Sequence, residues 1–210
     1  MMSDKNRALG YALVGSVLIS FSAVFVRGSD HGPAVTGFYR MLFAGVLFLA
    51  LAIYRKEVWL NFSNGLCKVL LVGLFFALDL TLWHRCIPYL GVGMATLLNN
   101  LQIIFVLGLT VAFGDASFTR NRFIVIALAI AGLYFLTGHL DGLSHGLEYG
   151  LLVGLASAAF YACSIVTLQK IDNNKSPCGT FSKLAVLRLS SAFFLLIEGL
   201  STHEQFSFIG

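Results

Sequence analysis

The residue of this sequence best suited to chemistry is an aspartate inside an apolar segment. Asp79 follows the residues LFFAL, and His84 comes five positions later. A carboxylate and an imidazole can exchange protons, so one hypothesis is an acid–base pair in an enzyme. Five residues turn a helix by about 140°, which places the two side chains on different faces and disfavours this hypothesis. The two alternatives are a proton or substrate site at Asp79 alone, and a structural role of Asp79 in an ion pair or in a hydrogen bond between helices.

The composition places this aspartate in a membrane protein. Hydrophobic residues make up 58% of the 210 residues and charged residues 11%, whereas soluble domains have about 25% charged residues. A spanning helix needs about 20 mostly apolar residues. Seven stretches meet this requirement: 9–27, 34–54, 67–87, 90–113, 122–140, 147–168 and 181–200. The predicted fold is therefore an all-α integral membrane protein, a polytopic helical bundle of about seven spans.

The distribution of basic residues predicts the orientation of the bundle. With the N-terminus in the cytoplasm, ten of the 14 Lys and Arg residues fall on cytoplasmic segments, and the outer loop 139–148 contains none. This agrees with the excess of positive charge found on cytoplasmic loops. The net charge of +4 is small, and no basic cluster with interleaved aromatics indicates a nucleic-acid partner. The four scattered cysteines and the lack of a phosphate-binding loop predict neither a metal nor a cofactor.

Two charged residues of the predicted spans lie at comparable depths. Arg40 is about 9 Å and Asp79 about 12 Å from the outer ends of their helices at 1.5 Å per residue. An unpaired carboxylate near the membrane centre costs at least about 2.5–3.5 kcal/mol, so Asp79 needs either a partner or a proton. An Arg40–Asp79 pair is therefore geometrically feasible.

Further polar residues are candidates for a substrate or ion pathway. Asn100 lies near the middle of the fourth predicted span, where its amide serves either a cavity or a contact between helices. Trp83 and His84 fall near the outer interface, where such side chains more often anchor a helix than bind a ligand. Ser20 and Tyr161 are weaker candidates for the lining of the same pathway.

The sequence contains signs of an internal repeat. Leu-Val-Gly occurs at 13–15 and again at 152–154, and in each case a proline precedes a helix with an early arginine, Arg40 or Arg188. A repeat unit of five helices would cover 1–145, and 146–210 would supply the first two helices of a second unit. Because five is odd, the second unit would be inverted in the membrane, an architecture typical of transporters.

The segment 76–136 resembles the first repeat of EamA-type transporters of the drug/metabolite transporter superfamily. The resemblance is carried by "ALDL", "WH", the "ATLL" run with its asparagines and "IFV", and a Gly-acidic turn, together with "FYRMLF" in the second span. It implies two inverted five-helix repeats and a multi-pass protein of the bacterial inner membrane. The family pattern carries over to a small set of residues: Arg40, Asp79, Trp83, His84 and Asn100. Ile103 replaces a common proline, Asp115 replaces a glutamate, and three helices of a complete member are missing.

Two functions follow as expectations from the residues and the resemblance. The first is a secondary transporter, not an enzyme, that moves small metabolites such as amino acids by alternating access, with proton coupling as an option. The second is a truncated, non-transporting remnant or a half-bundle that needs a partner chain, supplied by a homodimer or by the missing C-terminal half. Both place the protein in a lipid bilayer.

Overall fold

Five α helices make up most of the described part of the chain. The computed structural model describes residues 32–59, 65–114, 146–173 and 178–204, with scattered positions in 9–17 and 119–135, and these contain no strand. The helices are α1 (Pro33–Tyr54), α2 (Leu66–Asn100), α3 (Gln102–Ala112), α4 (Leu147–Asn173) and α5 (Thr180–Ser201). The predicted spans 9–27 and 122–140 fall largely outside the described residues.

Helices α2 and α3 together form a helical hairpin. The apolar run Leu66–Ala112 has 47 residues, about 70 Å as a straight helix and more than twice the roughly 30 Å hydrocarbon core. Gly91 interrupts it with φ 76° and ψ 163°. A Cβ atom built on Gly154 of α4 would lie 3.1 Å from Cys86 Sγ and 2.8 Å from Leu98 Cδ1. Since these side chains on either side of Gly91 meet at one place, the chain folds back there, as the boundary between the third and fourth predicted spans requires.

The second arm of this hairpin is interrupted once more at Leu101. Its N–H donates to Leu98 O at 3.0 Å, and the N–H of Ile104 donates to Leu101 O at 2.9 Å. These bonds to the third preceding residue tighten the helix locally. Three amide side chains flank the tightened turn: Asn99, Asn100 and Gln102.

The described helices are suited to a bilayer by length and by surface. Helices α1, α4 and α5 and the α2–α3 run are long and apolar enough to cross a membrane. Large apolar side chains such as Phe43, Leu152 and Phe193 remain exposed on their outer faces. In a bilayer these side chains face lipid, while helical hydrogen bonding satisfies the backbone. The protein is thus an all-α, polytopic membrane protein.

Helices α1 and α5 form an antiparallel pair whose ends are bound reciprocally. Glu57, three residues after α1, accepts a hydrogen bond from the Ser182 N–H near the start of α5 at 2.8 Å. Glu204, three residues after α5, accepts one from the Val35 N–H near the start of α1 at 3.0 Å. Neither helix has a side-chain cap of its own, because each N-cap residue is a glycine.

The two ends that carry these glutamates have the same backbone design. The residues directly before them, Lys56 and His203, adopt left-handed φ values of 51° and 55°. The N–H of Glu57 then bonds to Ala52 O, and the N–H of Glu204 to Gly199 O, both at 3.0 Å. This left-handed helix ending turns each glutamate back toward the neighbouring helix.

Glycines and serines allow close approach of α2 to its neighbours. Ser191 of α5 donates to the carbonyl of Gly73 at 2.9 Å, and a Cβ on Gly73 would collide with Ser190. On the opposite side, Gly150 and Gly154 of α4 pack against Leu90 and Leu98. Small residues at helix contacts are typical of membrane bundles. Helix α2 is consequently enclosed near its middle, and this is where the polar residues lie.

Candidate functional site

Asp79 lies in the interior of the bundle and binds α4. Its side chain is 3% exposed, and the Ser157 hydroxyl of α4 donates to Oδ1 at 2.6 Å. Ser157 is itself fully buried. A hydrogen bond to a charged or ionisable group is stronger than one between neutral groups. Asp79 therefore has a direct partner in Ser157, which the comparison of the depths of Arg40 and Asp79 in their predicted spans did not identify.

Three further side chains surround the Asp79 carboxylate. The guanidinium charge of Arg40 of α1 acts on it, Tyr161 of α4 lies within its electrostatic reach, and the Asn99 side chain approaches it from the second arm of the hairpin. Arg40 makes no ion-pair contact with Asp79, since the ion pair found within the described residues joins Arg85 and Glu198. Side chains from α1, α2 and α4 thus converge on one carboxylate, with Arg40 nearby but not in contact.

Trp83 and His84 are buried between the helices of the bundle, and their position near the outer membrane interface stays a prediction. They are 7% and 4% exposed, and their rings lie 5.1 Å apart. His84 approaches Gly37 of α1 and is within electrostatic reach of Arg40. The indole nitrogen of Trp83 has no hydrogen-bond partner among the described residues, and the His84 ring lies near the backbone of Leu80. Although His84 and Asp79 lie on different faces of α2, Arg40 is near both of them.

A second polar contact of α2, between Asp79 and the turn at Gly91, involves Arg85 rather than His84. Arg85 Nη2 lies 2.7 Å from Glu198 Oε1 of α5, and the Thr81 hydroxyl donates to Oε2 of the same carboxylate. Thr81 and Arg85 are four residues apart and therefore share one helix face. This network compensates the Arg85 charge and is separate from the Asp79 cluster.

Arg188 of α5 lies beside the Asp79 cluster. Its guanidinium carbon is 4.3 Å from the centre of the Phe76 ring, and Nη1 is 3.5 Å from Met41 Sδ of α1. Tyr161 contacts the same Phe76 ring edge-on, with centroids 5.8 Å apart. The guanidinium charges of Arg188 and Arg40 act on each other and on Tyr161. Arg188 thus belongs to the same polar region although the sequence indicated it only as a repeat marker.

The structure separates the two neighbouring asparagines. Asn99 is partly buried and turned toward Asp79, whereas Asn100, the predicted pathway residue, is exposed. The oxygen of the Asn99 amide has no hydrogen-bond partner among the described residues. Ser20, the remaining predicted residue, lies outside the described part of the chain.

Sequence reasoning missed Glu198 and the specific role of Ser157. A signal existed for Glu198, because it is the single carboxylate in the span 181–200 and Thr81 and Arg85 present a matching polar face. Ser157 gave no such signal, since serines in membrane helices commonly bond their own backbone.

The fold and the site together define a helical integral membrane protein with charged side chains enclosed between its spans. A family model described as the EamA-like transporter family matches residues 6–138, more than half of the chain. The chain belongs to the EamA-like transporter family, whose members are membrane transporters of small molecules. No significant match to a curated protein or to a solved structure was found.

Proposed function

We propose that this protein is a secondary carrier that moves a small metabolite by alternating access, with Asp79 at the centre of its pathway. The observation that carries the proposal is the buried Asp79 carboxylate, bonded to Ser157 and approached by Arg40, Asn99 and Tyr161. Ionisable residues inside membrane spans are costly and mark substrate or ion pathways. The break at Leu101 beside Asn99 also fits the interrupted helices that line transporter sites.

Asp79 is further proposed to couple transport to protons. It is the buried carboxylate among the described residues, and within the predicted spans 9–27 and 122–140 the sequence contains no Asp or Glu. A proton on Asp79 would remove its charge and weaken its attraction to Arg40. Movement of α1 relative to α2 could then follow the protonation of one residue.

The orientation and the repeat are part of the proposal. The positive charge of the predicted cytoplasmic loops supports a bacterial inner-membrane protein with a cytoplasmic N-terminus. The antiparallel α1–α5 pair, with equal helix lengths of 22 residues and matching glutamates, supports repeats over 1–145 and 146–210 that are inverted relative to each other.

Flux into proteoliposomes tests the role of Asp79. A panel of labelled amino acids and organic acids is assayed for accumulation driven by a pH gradient and for counterflow without a gradient. For a transported compound, Asp79→Asn should reduce gradient-driven accumulation about tenfold or more while counterflow persists. Loss of both would assign Asp79 to substrate binding, and unchanged accumulation would contradict its place in the pathway.

The neighbouring asparagines supply a matched pair for this assay. Asn99→Ala removes the amide that faces Asp79, and we expect slower flux. Asn100→Ala removes an exposed amide of the same type and should leave flux unchanged. An equal effect of the two substitutions would contradict the geometry of the site.

A further inference from the structure

Among the described residues inside the bundle, positive charge exceeds negative charge. Three charged side chains share one region between α1, α2, α4 and α5, namely Arg40, Asp79 and Arg188. Two further charged side chains, Arg85 and Glu198, form an ion pair at 2.7 Å, so their charges cancel. The predicted spans 9–27 and 122–140 supply no Asp or Glu to this depth. Two guanidinium groups therefore share this region with a single carboxylate, which lies nearer to Arg40 than to Arg188 in its electrostatic effect.

The surroundings of Arg188 leave most of its hydrogen-bonding capacity unused. A guanidinium has five N–H donors, and the contacts of this one are the face of Phe76 and the sulfur of Met41. A ring face attracts a cation, and a thioether is only a weak acceptor. Within the described residues no carboxylate lies at ion-pair distance from Arg188. Such a planar fork of donors matches the two oxygens of a carboxylate.

The two arginines are also close enough to repel each other. Repulsion between like charges is strong where water is scarce. An anion between them would relieve it and would be held from two sides. Tyr161, which is near both guanidinium groups, offers a hydroxyl donor to the same anion.

We propose that Arg40 and Arg188 bind the carboxylate of the transported molecule, and that this molecule is a monocarboxylate without a compensating ammonium group. The inference rests on the proposed transport function and names its substrate class. While Asp79 is ionised, a single carboxylate balances the one excess positive charge of the cluster. A zwitterionic amino acid would leave that charge uncompensated, and a phosphate dianion would exceed it. The partly buried Phe76 ring beside Arg188 provides an apolar contact for the body of the molecule.

Ligand-dependent stabilisation of the purified full chain in detergent tests this inference without any transport step. The probes are acetate, pyruvate, benzoate and phenylacetate, with acetamide, benzamide, alanine, phenylalanine and inorganic phosphate as chemical comparisons. We expect one or more of the monocarboxylates to raise the unfolding temperature in a saturable manner, and the matching amide and amino acid to have little effect. Failure of every monocarboxylate, or equal stabilisation by the neutral amides, would overturn the inference.

Arginine variants identify the site. Arg188→Gln should raise the dissociation constant of a stabilising monocarboxylate about tenfold or more. The dissociation constant for Arg188→Lys should lie between those of the unchanged protein and Arg188→Gln, because lysine keeps the charge but loses the planar fork. The matched control is Arg55→Gln, since Arg55 also lies over a phenylalanine ring, Phe181, but is exposed. Undiminished binding in Arg188→Gln, or an equal loss in Arg55→Gln, would overturn the assignment.

This experiment separates the inference from the proposed function. Carboxylate binding that depends on Arg188, in a protein that shows no flux, would keep the anion site and reject the carrier. Flux without such binding would support the proposed carrier function and contradict the proposed anion site. If phosphate alone stabilises the protein, the site accepts oxyanions but the monocarboxylate assignment is wrong.

Discussion

The reciprocal glutamates of α1 and α5 give a stability prediction that can be worked out from single contacts. Glu57→Ala removes the acceptor of the Ser182 N–H, and Glu204→Ala removes the acceptor of the Val35 N–H. Both N–H groups lie in the first turn of a helix, where no backbone acceptor exists within the helix. Each substitution therefore leaves one amide without its partner and removes a negative charge from the positive end of a helix.

The size of the effect follows from the loss of a helix cap. Removing a capping side chain costs about 0.5–2 kcal/mol, typically about 1, and a partly exposed hydrogen bond does not reach the upper end. We expect about 1 kcal/mol for each alanine substitution. The two contacts lie at opposite ends of 22-residue helices, about 33 Å apart at 1.5 Å per residue. Sites this distant behave independently, so the double variant should lose about 2 kcal/mol.

The measurement is the free energy of unfolding from titration with a denaturing detergent in mixed micelles. Glu57→Gln retains an acceptor oxygen but loses the charge, whose contribution at a helix end is about 0.3–1 kcal/mol. It should therefore lose less stability than Glu57→Ala. The control is Glu148→Ala, because Glu148 is exposed in the first turn of its own helix, α4. It should lose only the small charge contribution.

Two results would refute this reasoning. If Glu57→Ala and Glu204→Ala lose no more stability than Glu148→Ala, the glutamates do not act as caps between helices. If the double variant loses much less than the sum of the single variants, the two ends of the antiparallel α1–α5 pair are not independent.

Two further predictions concern packing and orientation. Gly154→Ala should destabilise the protein by about 1–3 kcal/mol, because its Cβ would meet Leu98 Cδ1 at 2.8 Å. The control is Gly108→Ala, whose Cβ would meet nothing within 4 Å and which should be neutral or stabilising by up to about 1 kcal/mol. Equal effects of the two substitutions in the same unfolding titration would contradict the packing of α4 on α2. Cys67, which is exposed at the start of α2, should react with a membrane-impermeant thiol reagent in inside-out vesicles but not in right-side-out vesicles. Loss of labelling in Cys67→Ser is the control, and the reverse pattern would place the N-terminus outside.

Hydropathy predicted the helical architecture because bilayer thickness imposes a minimum length on every span. The predicted span 34–54 agrees with Pro33–Tyr54, and the predicted boundary between 87 and 90 lies beside the turn at Gly91. Helix α4 continues to Asn173, past the predicted end at 168. Hydropathy falls at the membrane surface, but backbone hydrogen bonds continue a helix into the polar sequence that follows it.

The contacts between distant helix ends could not be predicted from local sequence. Glu57 and Ser182 are 125 positions apart, and rules for helix capping compare residues within one turn. Gly32 and Gly179 did contain a hint, since a glycine at the N-cap leaves the first turn without a side-chain acceptor. The supplier of that acceptor depends on which helices are neighbours.

Asp79 was identifiable from sequence, whereas its surroundings were not. A carboxylate in an apolar segment can be recognised from the sequence whichever way the helix is turned. Its partner, however, depends on which face of α2 meets α4. Trp83 and His84 illustrate the same difficulty, because their places in the sequence predict a depth in the membrane but not which helix face is covered. Near these residues α2 is covered by other helices, and both rings are buried.

The position of Arg188 links the proposed repeat to the proposed anion site. Arg188 is the ninth residue after Gly179, and Met41 is the ninth residue after Gly32, so the matching helix ends make these two positions equivalent. They contact each other at 3.5 Å. In an antiparallel pair related by a two-fold axis, a residue meets its own equivalent only near the axis. The Arg188–Met41 contact therefore supports an axis at mid-helix, between the two proposed repeats, where transporter sites are typically found. Arg40 is the eighth residue after Gly32, so the two arginines are offset by one position. Because of this offset, Arg188 meets a thioether instead of a second guanidinium, and both positive groups can face the same anion.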